Sequence, residues 1–272
     1  MTRPKPPTEA TMDDLAAQHL AWMKAEKQRP NTIARRAAVL RSIPSPGTAT
    51  REQIEAWWAS RRHLSPATRA SDLTNLRTFY RWCLTWDHRA DDPSRRITAP
   101  RLDKGLPRPI SRADLHHLLA TLPDDLRRAV ALGAYAGLRV AEAAALTWDD
   151  IDLETRRATV HGKGGKTRRV ALGLILLDQI APARPGCSVV TGEPHAMTAG
   201  QLQRRANRAI KAAGVDATFH QLRHRYGTVA YQATRDIVAV GQQLGHSSPV
   251  STAIYAAASD EVADEIAAAV AR

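Results

Sequence analysis

Apolar and polar positions alternate along this chain with a helical period nearly throughout, and one short stretch departs from it. From Thr11 onward, Leu15, Leu20, Trp22 and Met23 fall on one side of a helix. Ile33, Ala37, Leu40 and Ile43 repeat the pattern after Asn31, the expected N-cap, and Pro44, Pro46 and Gly47 end it. Thr50 opens a short third helix with Ile54, Trp57 and Trp58. Ser65-Pro66 opens a fourth, joining a capping hydroxyl to a proline suited to the first turn. Its stripe is Leu73, Leu76, Phe79, Tyr80, Cys83 and Leu84, and the four helices together predict a small bundle.

Helical spacing resumes at Ser111, an N-cap with Asp114 in the third helical position, followed by Leu115, Leu118 and Leu119. Residues 124–137 read as an amphipathic helix with Leu126, Val130, Leu132 and Tyr135, and the next helix runs from Gly137 to near Leu146. The departure comes next. Arg157 to Val160 and Arg168 to Leu172 have strand character and flank His161-Gly162-Lys163-Gly164-Gly165-Lys166, which predicts a hairpin with a glycine-rich tip. Beyond it the pattern predicts a helix over 174–180, a short strand over 187–190 and a basic helix over 198–213. His220 and Arg223 share one helix face, and Ser248-Pro249 starts a helix carrying Tyr255 about two turns in. Ser259 caps a last helix whose apolar stripe is only Val262, Ile266 and Val270, narrow enough to need a groove on this subunit or a neighbour.

The predicted fold class is mainly α with a small β-hairpin or sheet, that is, α+β. The expected organisation is a flexible arm over 1–10, a helical domain over 11–90, a linker over 91–109 rich in proline and basic residues, and a second domain over 110–272.

Charge adds a partner to this picture. The 272 residues include 39 Lys and Arg against 27 Asp and Glu, a formal charge of +12. Such an excess favours a polyanion, with counterion release from nucleic acid as the driving force. Arg35, Arg36, Arg69, Arg77 and Arg81 recur on the expected outward faces of the first domain, and Lys166, Arg204 and Arg205 add to the second, as candidate phosphate contacts. The two cysteines, Cys83 and Cys187, have no CxxC partner, so neither a zinc site nor a disulfide framework is expected. No run approaches the ~18 apolar residues of a membrane span, and the first ten residues lack the apolar core of a signal peptide. A cytoplasmic protein, associated with the nucleoid, is the expectation.

The remaining chemistry is that of phosphoryl transfer. Arg139 and Arg223 suit the non-bridging oxygens of a phosphodiester, which guanidinium forks grip in pairs. Tyr255 offers a hydroxyl nucleophile whose phenol, with a reference pKa of about 10, needs a proton acceptor or a positive field. His220 and His246 supply either, and Lys163 on the glycine-rich tip can protonate a leaving alkoxide. The loop lacks the GxxxxGK[ST] order, so nucleotide binding is not expected, and no carboxylate cluster suggests a two-metal nuclease.

These residues, in this order, resemble the tyrosine recombinase (phage integrase, Xer-like) family. The words that carry the resemblance are Ala136-Gly137-Leu138-Arg139-Val140-Ala141-Glu142, Gly162-Lys163-Gly164, His220-Gln221-Leu222-Arg223-His224, Leu244-Gly245-His246 and Ile254-Tyr255. The first domain resembles the family's core-binding helical domain in outline, through Ser65-Pro66-Ala67-Thr68 and Phe79-Tyr80-Arg81-Trp82. The resemblance implies a C-shaped clamp on double-stranded DNA target sites and a site-specific recombinase or integrase. Tyr255 would form a 3′-phosphotyrosine intermediate with no metal and no ATP. Arg139, Lys163, His220, Arg223, His246 and Tyr255 would be catalytic, and Glu142 would orient them from behind. A homotetramer on DNA is implied, with residues 260–271 passed to the adjacent subunit, and an accessory DNA-bending protein is compatible with it. Two other classes stay open at this point: a type IB topoisomerase, which shares the chemistry, and a catalytically silent DNA-binding regulator. Arg225 is a departure, since a small residue is more usual there. His88, His116, His117, His161, His195 and His224 read as structural or solvent-exposed.

Overall fold

The computed structural model describes residues 15–102, 108–162, 165–246, 252 and 255. The expected arm over 1–10, Lys163, the Ser248-Pro249 helix start and the segment 260–271 lie outside the described residues. The chain divides into two compact units, Met1–Lys104 and Gly105–Arg272.

Among the described residues the first unit has four α-helices, α1 (Leu15–Ala25), α2 (Pro30–Arg41), α3 (Arg51–Ser60) and α4 (Pro66–Thr85). Thr50 caps α3 in a reciprocal box with Gln53, and Ser65 caps α4 by accepting from the Thr68 N–H. Helix α2 starts earlier than expected: its N-cap is Arg29, with Pro30 at the first position, and Asn31 caps nothing. Leu15, Val39, Leu40, Ile54, Leu73, Leu76, Phe79, Tyr80 and Cys83 close the core, whereas Leu84, expected in the stripe, is exposed.

Arg36 overturns an expectation. It is 6% exposed, its Nε donates to Asn75 Oδ1 at 2.9 Å, and its Nη1 lies 2.9 Å from His19 Nε2. His19 is itself fully buried, and burial first, then the Arg36 charge, lowers its pKa to about 3, so the ring stays neutral and accepts. Arg36 is thus a core polar group, not part of an outward phosphate surface. The other arginines are only partly free. Arg35 and Arg61 share the buried Asp72 carboxylate, Arg69 lies over the Trp58 ring, and Arg77 donates to the Ile97 carbonyl. Arg81 is exposed. The Ile97 contact also shows that the start of the expected linker packs on the bundle: Ser94 and Ile97 are both buried.

The second unit is built around α6 (Asp124–Tyr135). The spacing predicts an amphipathic helix, but Leu126 and every residue from Arg128 to Ala134 are buried. Small residues allow this. At Gly133 a Cβ would sit 3.1 Å from the Leu222 Cβ of α10 (Phe219–Thr234), so that helix packs close. Around α6 lie α5 (Arg112–Thr121), α7 (Val140–Ala145), α8 (Leu174–Ile180), α9 (Ala199–Ala212) and α11 (Ile237–Leu244). The predicted hairpin forms as β2 (Arg157–His161) and β3 (Thr167–Ala171), paired Val160 to Arg168. A third strand, β1 (Ile151–Asp152), pairs with β2 and makes the antiparallel order β1-β2-β3. Its two residues, one buried and one exposed, are too few for an alternation to signal it. Residues 187–190 form no strand, only an isolated bridge between Thr147 and Ser188. Among the described residues the architecture is mainly α with one small sheet, as expected.

Candidate active site

The site gathers where α7 begins, α10 passes and α11 ends. Gly137 makes the turn before α7 with φ +64°, a conformation that favours glycine, and a Cβ there would meet Tyr226 at 2.6 Å. This turn presents Arg139 immediately ahead of α7. Helix α10 is fixed at its start by the Thr218 N–H donating to Gln221 Oε1 (2.7 Å) and the Phe219 N–H to Asn207 Oδ1 (2.9 Å). Asp236 caps α11, accepting from the Val238 and Ala239 N–H groups at 2.9 Å each, and Gly245 ends it in the left-handed region.

The C-terminal carbonyls of a helix lack partners of their own and carry the negative end of its dipole. Here guanidiniums fill them. Arg223, 2% exposed, donates to the Leu244 carbonyl and the Gly137 carbonyl at 2.6 Å each. Arg139 donates to the Leu244 carbonyl at 3.4 Å and the Gly245 carbonyl at 3.1 Å, with its side chain 41% exposed. The two arginines expected to grip one phosphate therefore converge on one helix end.

Glu142 stands behind them, 6% exposed. Its carboxylate accepts from Arg139 Nη1 (2.8 Å) and the Arg139 N–H (2.9 Å), and takes a two-pronged bond from Arg168 at 2.9 Å on each oxygen. Burial pushes its pKa up, but the bonds from Arg168 and Arg139 outweigh that and hold it at about 2. Arg168 in turn donates through Nε to the Gln243 carbonyl at 2.8 Å, tying β3 to α11. For Arg223, burial and then Arg139 lower the pKa to about 10, with Glu142 opposing, so it remains cationic near neutrality.

Three histidines and the phenol line the same cluster. Tyr255 is 2% exposed and its ring covers Gly227, where a Cβ would come within 2.4 Å of it. The His246 ring stacks on Tyr255 at 6.3 Å between centroids and 14° between planes, and His246 Nδ1 lies 2.8 Å from Thr252 Oγ1. His224 Nδ1 lies 3.3 Å from the Tyr255 hydroxyl, and the His224 ring meets that of His220 edge-on at 4.5 Å. Burial lowers His224 to about 4, helped by His220 and Arg223, and lowers His246 to about 4, helped by Arg223 and Arg139. His220, though more open to solvent, is lowered by desolvation, then Arg223 and Arg139. Burial raises the phenol of Tyr255, with Arg223 and Arg139 opposing. Near neutral pH the imidazoles are neutral acceptors and the phenol keeps its proton.

Arg139, Glu142, His220, Arg223, His246 and Tyr255 are thus brought together, while Lys163 lies outside the described residues. Lys166 and Arg204 are exposed, and Arg205 pairs with Asp125 at 2.7 Å. A cavity of about 910 Å³ between the start of α6 and the loop before α9, lined by Asp124, Arg128, Arg184, His195 and Arg205 among others, contains none of the cluster. Sequence reasoning passed over His224, Arg168 and Thr252. His224 carried a usable signal, being four residues from His220 on one helix face. Arg168 carried none, since its reach to Glu142 depends on the fold of the hairpin.

Residues 110–262 match the model of the phage integrase family. Tyrosine recombinase XerD of Caulobacter vibrioides is 31% identical over 233 residues, which cover 76% of this chain and 76% of that protein. Tyrosine recombinase XerC of Chromobacterium violaceum is 32% identical over 210 residues, covering 71% of this chain and 70% of that one. In fold, the chain resembles a lambda integrase tetramer bound to a Holliday junction, with a TM-score of 0.73 at 17% identity over 89% of this chain and 79% of that one. On the family match and the similarity to these relatives, the chain belongs to the phage integrase family and is a site-specific tyrosine recombinase.

Proposed function

We propose that this recombinase cuts and rejoins DNA through a 3′-phosphotyrosine at Tyr255. The observation that carries the reading is the shared seat of Arg139 and Arg223 at the Leu244 carbonyl, within the cluster that holds Tyr255. In the reaction a phosphodiester takes the place of that carbonyl as the acceptor for both guanidiniums. Charge growing on its non-bridging oxygens is what such donors stabilise, each typically by ~3 to 4 kcal/mol. The Tyr255 oxygen attacks phosphorus as its proton passes to a neutral imidazole of the cluster, the P–O5′ bond breaks, and the 5′-oxygen leaves with a proton from Lys163. His220 and His246 assist at the phosphate, and Glu142 holds the arginines in register. A 5′-hydroxyl of another strand then reverses the step, so the bond energy is conserved in the link and neither metal nor ATP is consumed.

The reading extends to partners. Double-stranded DNA target sites are the substrate, and the exposed cations, Arg81, Lys166 and Arg204 with the partly exposed Arg35, Arg69 and Arg77, contribute phosphate contacts in both units. The domain plan is a DNA-binding domain over 11–90 and a catalytic domain over 110–272. The working assembly is a homotetramer, as the lambda integrase neighbour is on its junction, with residues 260–271 docked on the adjacent subunit. Action in the cytoplasm at the nucleoid follows from that substrate.

The test is a nicked target site incubated with wild type and Tyr255→Phe. Wild type should give a protein–DNA adduct that survives a denaturing gel, and the variant none while still binding the site. Tight site-specific binding without any wild-type adduct would point instead to a regulator, and relaxation of plasmid lacking the site, by a monomer, to a topoisomerase.

A further inference from the structure

The cluster holds one contact that the proposed chemistry does not use. His224 follows Arg223 on α10, yet it faces the phenol: its Nδ1 lies 3.3 Å from the Tyr255 hydroxyl, and the rings meet at 5.9 Å and 63°. The contact is one side of a closed seat. Gly227, a turn further along α10, leaves no room for a side chain beneath the Tyr255 ring, and His246 stacks against that ring. Tyr255 is 2% exposed there, so its oxygen cannot meet the phosphate of a duplex without leaving the seat. Packing against Gly227 and His246 holds the ring, but only His224 engages the reacting atom among the hydrogen-bond partners of the described residues.

Taking Tyr255 as the nucleophile, we propose that His224 is a positioning residue that stows it, accepting a hydrogen bond from the phenol until the site engages DNA. The direction of that bond follows from the neighbours. His220 and Arg223 on α10, His246 after α11 and Arg139 before α7 all bear on the cluster, and two of these are permanent cations. A proton on His224 would add a third positive charge beside them, so the neutral ring is favoured and the phenol is the donor. Release then costs one neutral hydrogen bond, a small barrier suited to a step that engagement of DNA must reverse. His224 is one residue beyond the pair that faces the phosphate, so the helix that presents Arg223 to the substrate also withholds the nucleophile from it.

The test compares wild type with His224→Phe, which keeps a ring and removes the acceptor, and His224→Asn, whose amide oxygen can stand in for Nδ1. Nitration of Tyr255 by tetranitromethane, located by peptide mass spectrometry, reads exposure of the phenol without DNA. Single-turnover adduct formation on a saturating nicked site reads its release. His224→Phe should raise nitration at Tyr255 and speed the adduct step about fivefold, the effect of losing one such bond, and His224→Asn should return both toward wild type. Unchanged nitration and rate in His224→Phe would show the contact to be incidental. A slower adduct step, not restored by Asn, would assign His224 to chemistry or folding and overturn the stowing role. If wild type forms no adduct at all, the assignment of Tyr255 fails, and the nitration comparison still judges the clasp by itself.

Discussion

Arg139 and Arg223 donate to the same oxygen, the carbonyl of Leu244, although one stands before α7 and the other lies within α10. Two like charges meet there because the end of α11 is a negative pole and because Glu142 lies behind both, 2.8 Å from Arg139 Nη1 and 3.8 Å from Arg223 Nη1. The resting site thus keeps two guanidiniums aimed at one acceptor position, the one that the proposed mechanism gives to a phosphate.

Glu142 should therefore matter to stability before it matters to rate. Glu142→Gln keeps the shape but leaves Arg139, Arg168 and Arg223 without a counter-charge, and breaking a buried pair from one side typically costs ~3 to 5 kcal/mol. Urea unfolding should show a loss of about 3 kcal/mol, with Arg168 loosened from α11. A loss below about 1 kcal/mol would mean that the helix-end carbonyls alone hold the arginines.

Acid should weaken the fold in two stages. An unfolded imidazole, near its ordinary value of 6.5, binds a proton that folded His224 and His246 refuse until about pH 4, and His19 until about pH 3. The unfolded state then binds more protons across that window, so stability is full above about 6.5 and falls as the pH drops. Glu142, ordinarily near 4.5 and held at about 2, adds a second loss below about 4.5. Thermal melts from pH 8 to pH 4 should shift steadily downward below pH 6.5, and His19→Phe should flatten the first stage. A melting temperature independent of pH over 6.5 to 4.5 would contradict the buried neutral histidines.

Lys163 is assigned to the leaving group, not to affinity. Lys163→Ala should slow adduct formation by at least the hundredfold typical of a lost general acid, with binding to the target site near normal by gel shift. A 5′-bridging phosphorothioate, whose leaving group needs no proton, should restore most of the rate. Normal cleavage of the ordinary site by the variant would remove the assigned role.

Much of the site was legible because its residues sit on helices, where spacing reports facing. His220 and Arg223 share a face of α10 as their separation requires, whereas α11 and its end at Gly245 were not read from the sequence. What stayed hidden depends on contacts between elements. Arg36 looked like a surface arginine because its partners, His19 and Asn75, come from two other helices. The all-round burial of α6 is invisible in a sequence with Arg128 in its midst, and β1 is too short for its alternation to count. In the sequence His224 reads as structural or solvent-exposed, and its contact with the Tyr255 hydroxyl is visible only in the fold.

The most direct measurement is to map the covalent link itself. A nicked target site is trapped with wild-type protein, the complex is digested with protease and nuclease, and the modified peptide is sequenced by mass spectrometry. The account predicts a single linkage, from a 3′-phosphate to the oxygen of Tyr255, with a free 5′-hydroxyl on the released strand. A link to any other residue, or a released strand ending in a 5′-phosphate, would contradict it.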